Sequence, residues 1–174
     1  MWVPKKKQER GGEGEGKASK DLKIITVQVV TRDRVIKNPR QMSLLYLIDK
    51  LGPIHEKTLQ HVVHRVQELG ADLGYKDFSV VGGVPYSPTL KSDVVALLYV
   101  GFIETEPTMY RKLRVTGDGK EALEKYYKPL PELEEVLSNN FEEIRNMASL
   151  IDNQVDLQVR RRGLVERRRP RRLF

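Results

Sequence analysis

The chain has 174 residues, 39% of them hydrophobic and 32% charged, with a net charge of +7 and no cysteine. That suffices for one modest domain with extensions, and it excludes disulfides, thiolate nucleophiles and cysteine-ligated zinc. No apolar run approaches the ~20 residues that cross a bilayer, and the basic start Lys5-Lys6-Lys7 has no apolar stretch behind it, so neither a membrane span nor a secretory signal is expected. A cytoplasmic protein is the expectation.

The charge is unevenly spread. Residues 1–40 carry +6, residues 41–130 are neutral, residues 131–155 carry −5, and residues 156–174 carry +6. Basic ends attract polyanions such as DNA or RNA without regard to sequence.

In chain order, residues 1–22 hold Gly11, Gly12, Gly14 and Gly16 among Glu and Lys, with little to bury, and read as a tail. Residues 23–31 are rich in β-branched residues and read as a strand, with a linker to residue 40. Asn38-Pro39 is a helix cap followed by proline at the first helical position. Leu44, Leu45, Ile48 and Leu51 supply an apolar stripe, and Gly52-Pro53 stops it. A second helix from Glu56 carries Leu59, Val62, Val63, Val66 and Leu69 on one face. The connection 71–86 contains a short β-like piece at Phe78–Val81. Ser87-Pro88 starts a third helix with the core face Leu90, Val94, Leu97 and Leu98, which Gly101 ends. Phe102–Thr105 and Tyr110–Thr116 read as two short strands, and a helix follows over 117–127.

Helix, helix, helix, hairpin, helix is an α+β order, and it is what a winged helix-turn-helix needs: a three-helix core, the third helix lying across a groove, and a β-hairpin wing. Pro85 to Val94 and Leu98 to Glu104 resemble the third helix and first wing strand of archaeal and bacterial winged-helix regulators. Arg114-Val115-Thr116-Gly117 through Leu123 resembles their second wing strand and the helix start after it. The resemblance covers residues 41–127, implies a winged-helix domain over 41–128, and speaks for that fold more firmly than for any ligand.

Residues 131–158 form a separate helical segment. Leu137, Phe141, Ile144, Ala148, Ile151 and Val155 alternate spacings of four and three, a heptad-like seam. A helix in this place resembles the dimerisation helix of PadR-like regulators, which implies a homodimer closed through these residues. Packing back onto its own domain is the other use of such a seam. Residues 159–174 hold Arg160, Arg161, Arg162, Arg167, Arg168 and Arg169. Proline and like-charge repulsion predict an arginine tail rather than a stable helix there.

Candidate chemistry is thin. Gly11 to Lys17 nearly spells a phosphate-binding loop, but Ala18 stands where magnesium needs Ser or Thr, and no strand precedes it. His61, His64 and Glu68 have a spacing compatible with zinc, yet they fall opposite the core face, where a His64–Glu68 pair is the ordinary outcome. No cofactor, no metal and no enzymatic activity are expected. The surface worth weighing is for nucleic acid, DNA before RNA. Ser87, Thr89, Lys91 and Ser92 occupy the first turns of the third helix, where base edges would be met. Tyr110, Arg111, Lys112 and Arg114 point outward from the wing, with the arginine tail for phosphates. Asp93, Glu104 and Glu106 oppose this reading. The expected function is a dimeric DNA-binding transcriptional regulator. The alternative is a protein- or RNA-binding accessory subunit of a large assembly, since the fold alone does not choose a ligand.

Overall fold

The computed structural model describes residues 30–168, with side chains to residue 162. The expected strand over 23–31 and the glycine-rich segment lie mostly outside the described residues. Thr31 ends no strand: it caps a short helix α1 (Arg32–Ile36), its hydroxyl accepting from Arg34 N. The Asn38 side chain accepts from Arg40 N and opens α2 (Pro39–Leu51), which Gly52 terminates at φ 79°. The third helix, α3 (Glu56–Glu68), gives way to a connection that is more than a loop. There β1 (Ser79–Val81) and β2 (Val84–Tyr86) form a small antiparallel hairpin.

Ser87 opens α4 (Pro88–Val100), its hydroxyl accepting from Leu90 N. A cap of this kind is worth ~1 kcal/mol. Gly101 ends the helix in the left-handed region at φ 79°, and Phe102 N returns to Leu97 O at 3.0 Å. That six-to-one closure is cheap only for glycine. The chain then runs straight into β3 (Ile103–Thr105), antiparallel to β4 (Leu113–Val115) with Glu104 opposite Arg114. Ile54, between α2 and α3, exchanges backbone hydrogen bonds with Leu113 at 3.0 and 2.8 Å. The hairpin is thereby tied to the helical body on its β4 side. Thr116 caps α5 (Gly117–Tyr126), and Pro131 begins α6 (Pro131–Arg168), 38 residues long and therefore ~57 Å.

Among the described residues the result is an α+β fold with two small antiparallel hairpins. The core is built from Leu44, Leu45 and Ile48 of α2, Leu59, Val62 and Val63 of α3, and Leu90 and Leu97 of α4, all fully buried. Each such side chain contributes roughly 1.5–3 kcal/mol through the apolar surface it removes from water.

Two expectations about α6 are corrected. Its heptad seam is closed inside the chain: Leu133, Leu137, Ile144 and Ala148 are buried in the same core as α3. Phe141, Ile151 and Val155 are half-buried at its edges. Leu137 and Ile144 are thus spent on the chain's own body, because the apolar face of α3 lies nearest and costs no association entropy. Among the described residues the arginines are not a separate tail, since the helix continues through Arg160, Arg161 and Arg162 to Arg168; the rest of the expected tail lies outside the described residues. Acidic residues precede the arginines in α6, and cations near a helix C-terminus are favoured by its dipole.

Candidate nucleic-acid interface

The face that α4 turns to solvent carries Lys91, Ser92, Val95 and Tyr99, positions spaced by one helical turn. Val95 is 55% and Tyr99 69% exposed. Two of the four residues expected there are differently employed. Ser87 is completely buried: its hydroxyl donates to Asp77 Oδ1 at 2.5 Å while its amide donates to Gln60 Oε1 at 3.0 Å. Thr89 is half-buried, and its amide donates to Asp77 Oδ2 at 2.9 Å. The Asp77 carboxylate therefore sits on the N-terminus of α4, where a nucleic-acid phosphate would otherwise be drawn. The Ser87 hydroxyl, with Thr89 adding to it, holds the Asp77 carboxyl down to about 2.

Asp93, expected on the recognition surface, is instead an internal hub at 3% exposure. It accepts from Arg40 Nε at 2.7 Å, Gln41 Nε2 at 2.8 Å and the Tyr75 hydroxyl at 3.1 Å. Arg40 also lies over the Tyr75 ring. The acid thus opposes nothing on the outer face of α4. Burial, reinforced by the Asp93 charge, pushes the Tyr75 hydroxyl well above its ordinary range.

The hairpin differs from expectation in a second way. Arg111 adopts φ 51°, which breaks the extended run, so Tyr110, Arg111 and Lys112 belong to the β3–β4 loop rather than to a strand. Lys112 reaches inward to Asp152 Oδ2 at 3.0 Å and Asp156 Oδ2 at 3.3 Å on α6. Burial works to lower the Lys112 ammonium, but the two carboxylates prevail and raise it. Arg114 pairs with Glu104 across the strands at 2.7 Å. Tyr110 accepts from Arg160 Nε at 2.5 Å, and the guanidinium lies over the ring. Arg111, by contrast, is exposed at the loop.

Asp152 and Asp156 are the residues the sequence did not single out. Asp152 Oδ1 accepts from the His55 amide at 3.2 Å and from the Thr58 hydroxyl, so a residue 97 positions away ties down the start of α3, where His55 offers no side-chain cap. The His55 ring is buried, and its Nε2 meets Asp156 Oδ1 at 2.6 Å. Burial alone would raise the Asp156 carboxyl, but His55 and Lys112 hold it below its usual value. Their trace in the sequence is faint: two aspartates four apart, then Arg160 at the same spacing, interrupting an apolar seam.

Exposed arginines continue along α6 at Arg161 and Arg162. Arg167 and Arg168 end the described helix, and Arg169 lies outside the described residues. On α3, His64 Nδ1 is 3.5 Å from Glu68 and edge-on to Phe78, while His61 is half-buried. No protein-family model, no curated protein and no solved structure matches this chain.

Proposed function

We propose that this chain is a winged-helix nucleic-acid-binding module, without catalytic chemistry of its own, whose ligand is duplex DNA. The order of helices, the Ile54–Leu113 bridge that adds a third extended segment to the β3–β4 hairpin, and the outward face of α4 support the winged-helix reading. The observation that carries the binding reading is the contact between Arg160 and Tyr110. It brings the arginine end of α6 beside the hairpin loop that carries the exposed Arg111, with the exposed Arg161 and Arg162 following on the helix, while residues 41–130 are neutral in sum. Arg and Lys in such an arrangement grip phosphates and set register, while base edges are met by the solvent face of a groove-lying helix. Lys91 and Ser92 are the residues of α4 free for that role, and a DNA-binding regulator is the reading that uses both surfaces.

The test is duplex binding by the full chain, followed by fluorescence anisotropy across a salt series. A steep loss of affinity with salt, reduced by Arg111→Ala with Arg162→Ala, supports the reading. Affinity indifferent to salt and to these changes defeats it.

One observation favours a second reading. Val95 and Tyr99 make the middle of the α4 face apolar, which suits contact with protein in a larger assembly. Co-purification from nuclease-treated and untreated lysate separates the two, because a DNA-held complex is lost on digestion and a protein-held one persists.

A further inference from the structure

Residues 23–29 lie outside the described residues, and the strand that their pattern predicts needs a neighbour to bond its backbone. Ile25, Val27 and Val29 alternate with Thr26 and Gln28, the period of a strand with one apolar face.

The described residues offer an open edge close to where this segment joins them. Phe102 O accepts from Thr116 N, and Glu106 N donates to Lys112 O, so the even residues of β3 turn their backbone towards β4. Ile103 and Thr105 therefore turn theirs the other way. No described residue pairs with them there, since Ile54 lies on the far side of β4. Ile103 is 1% exposed, and buried backbone groups are rarely left unpaired.

The chain enters the described body beside this edge. Val30 packs on the core. Arg32 donates from Nε to Val100 O at 3.2 Å and lies over the Phe102 ring. The open edge of β1 is remote, because its hairpin runs into Ser87 at the opposite end of α4, ~20 Å away.

We infer that residues 23–29 pair with the free edge of β3, running antiparallel to it, with Val29 opposite Ile103, Gln28 opposite Glu104 and Val27 opposite Thr105. The direction follows from the anchor. Arg32 holds Val30 near the start of β3, so the residues before it follow that strand backwards, whereas a parallel strand would carry Val30 to the Thr105 end. The register follows from the faces. Opposite residues share a face of the sheet, so Val27 and Val29 join the buried Ile103, and Gln28 joins the exposed Glu104. A slip of one residue would turn Thr26 and Gln28 inwards. In this register Lys23 and the lysines before it leave at the β3–β4 loop, beside Arg111. That is the flank the nucleic-acid reading uses, but the pairing does not depend on that reading.

The chain has no cysteine, so engineered pairs report the geometry without background. Gln28 and Glu104 form a non-hydrogen-bonded pair, with Cα atoms ~4.5 Å apart and within reach of a disulfide. In the full chain, Gln28→Cys with Glu104→Cys closes an intrachain disulfide on mild oxidation, read by mass spectrometry. Gln28→Cys with Thr105→Cys, on opposite faces, does not. Hydrogen exchange reads the same pairing without a cross-link. The Ile103 and Thr105 amides exchange about tenfold or more faster in Val27→Pro, because proline removes the amide that bonds Thr105 O. In Gln28→Pro they exchange as in the parent, since the Gln28 amide faces away from β3. Equal linking by the two cysteine pairs overturns the inference, as does exchange at Ile103 and Thr105 that Val27→Pro leaves unmoved. A disulfide between two chains also overturns it, because the edge then takes a strand from another copy.

Discussion

Arg160 on α6 donates from Nε to the hydroxyl of Tyr110, fifty residues earlier in the β3–β4 loop, at 2.5 Å. One helical turn before it on α6, Asp156 holds both Lys112 and His55. One turn before that, Asp152 holds the start of α3 through the His55 amide. The polar edge of a single helix thus fixes the position of the hairpin loop relative to the helical body.

Tyr110→Phe removes the acceptor and leaves the ring. The pair is exposed, so global stability changes by less than about 0.5 kcal/mol. Hydrogen exchange at the amides of Arg111 and Lys112 quickens, because the loop loses one of its ties to α6. Exchange rates measured by NMR on parent and variant check this; equal rates would show that Lys112 alone holds the loop.

Each phosphate contact releases condensed counterion and adds about 0.9 to the slope of log affinity against log salt. Arg111→Ala with Arg162→Ala lowers that slope by about 2. Lys112→Ala leaves the slope unchanged, since the Lys112 ammonium is already neutralised by Asp152 and Asp156. Anisotropy titrations between 50 and 300 mM salt, values chosen to span roughly the range where such slopes are linear, make the comparison.

Acid selectively loosens the start of α4. The Asp77 carboxyl titrates at about 2 in the folded chain and near 3.9 when unfolded. A depressed folded value contributes stability that is fully present above pH ~4 and is lost as pH falls towards 2. The Thr89 and Leu90 amide resonances shift over that window, and Asp77→Asn abolishes the shift. Ser87→Ala raises the midpoint, because it removes the hydroxyl that does most to hold Asp77 ionised.

Asp93→Ala leaves the Arg40 guanidinium and the Tyr75 hydroxyl without their acceptor in a largely buried setting. Removing one partner of such a cluster costs about 3 kcal/mol. The midpoint of thermal unfolding falls by roughly 6–12 °C for a chain of this size. Calorimetry at pH 7 reads the change.

Gly119→Ala is disruptive although glycine normally weakens a helix. A Cβ at Gly119 would stand 2.2 Å from Phe102 O and 2.8 Å from Val115 Cγ1, so α5 would have to lift from the β3–β4 hairpin. Overpacking against backbone costs about 3 kcal/mol. Gly117→Ala, where a Cβ meets nothing within 4 Å, changes stability little. Urea titration of the two variants side by side distinguishes packing from helix propensity.

Much of the fold is legible in the sequence. The Asn38-Pro39, Ser87-Pro88 and Thr116 helix starts, the Gly52 and Gly101 stops, and the apolar stripes of α2, α3 and α4 all fall where the residues predict. These signals act within one turn of the chain, so neighbouring residues suffice to decide them. The pattern predicts β3 and β4 to within a few residues, but not β2 (Val84–Tyr86) or the break at Arg111, which depends on a backbone angle that its side chain does not announce.

The candidate site was less legible, and for one reason. The residue types of Ser87, Tyr110, Lys112 and Arg114 suit a ligand and predict that they face one, with Asp93 opposing it from the same helix. Ser87, Asp93, Lys112 and Tyr110 are instead satisfied by Asp77, Arg40, Asp152 and Arg160, and Arg114 by Glu104 across the hairpin. Polar groups near a body pair with whatever charge folding brings within 3 Å, and most of these partners come from other elements, up to fifty-three residues away for Asp93. The heptad seam of α6 shows the same division. Its period alone established an apolar face, because periodicity is a property of one helix. Which surface that face met was decided only when α3 lay against it, since an apolar stripe is indifferent to the chain that covers it.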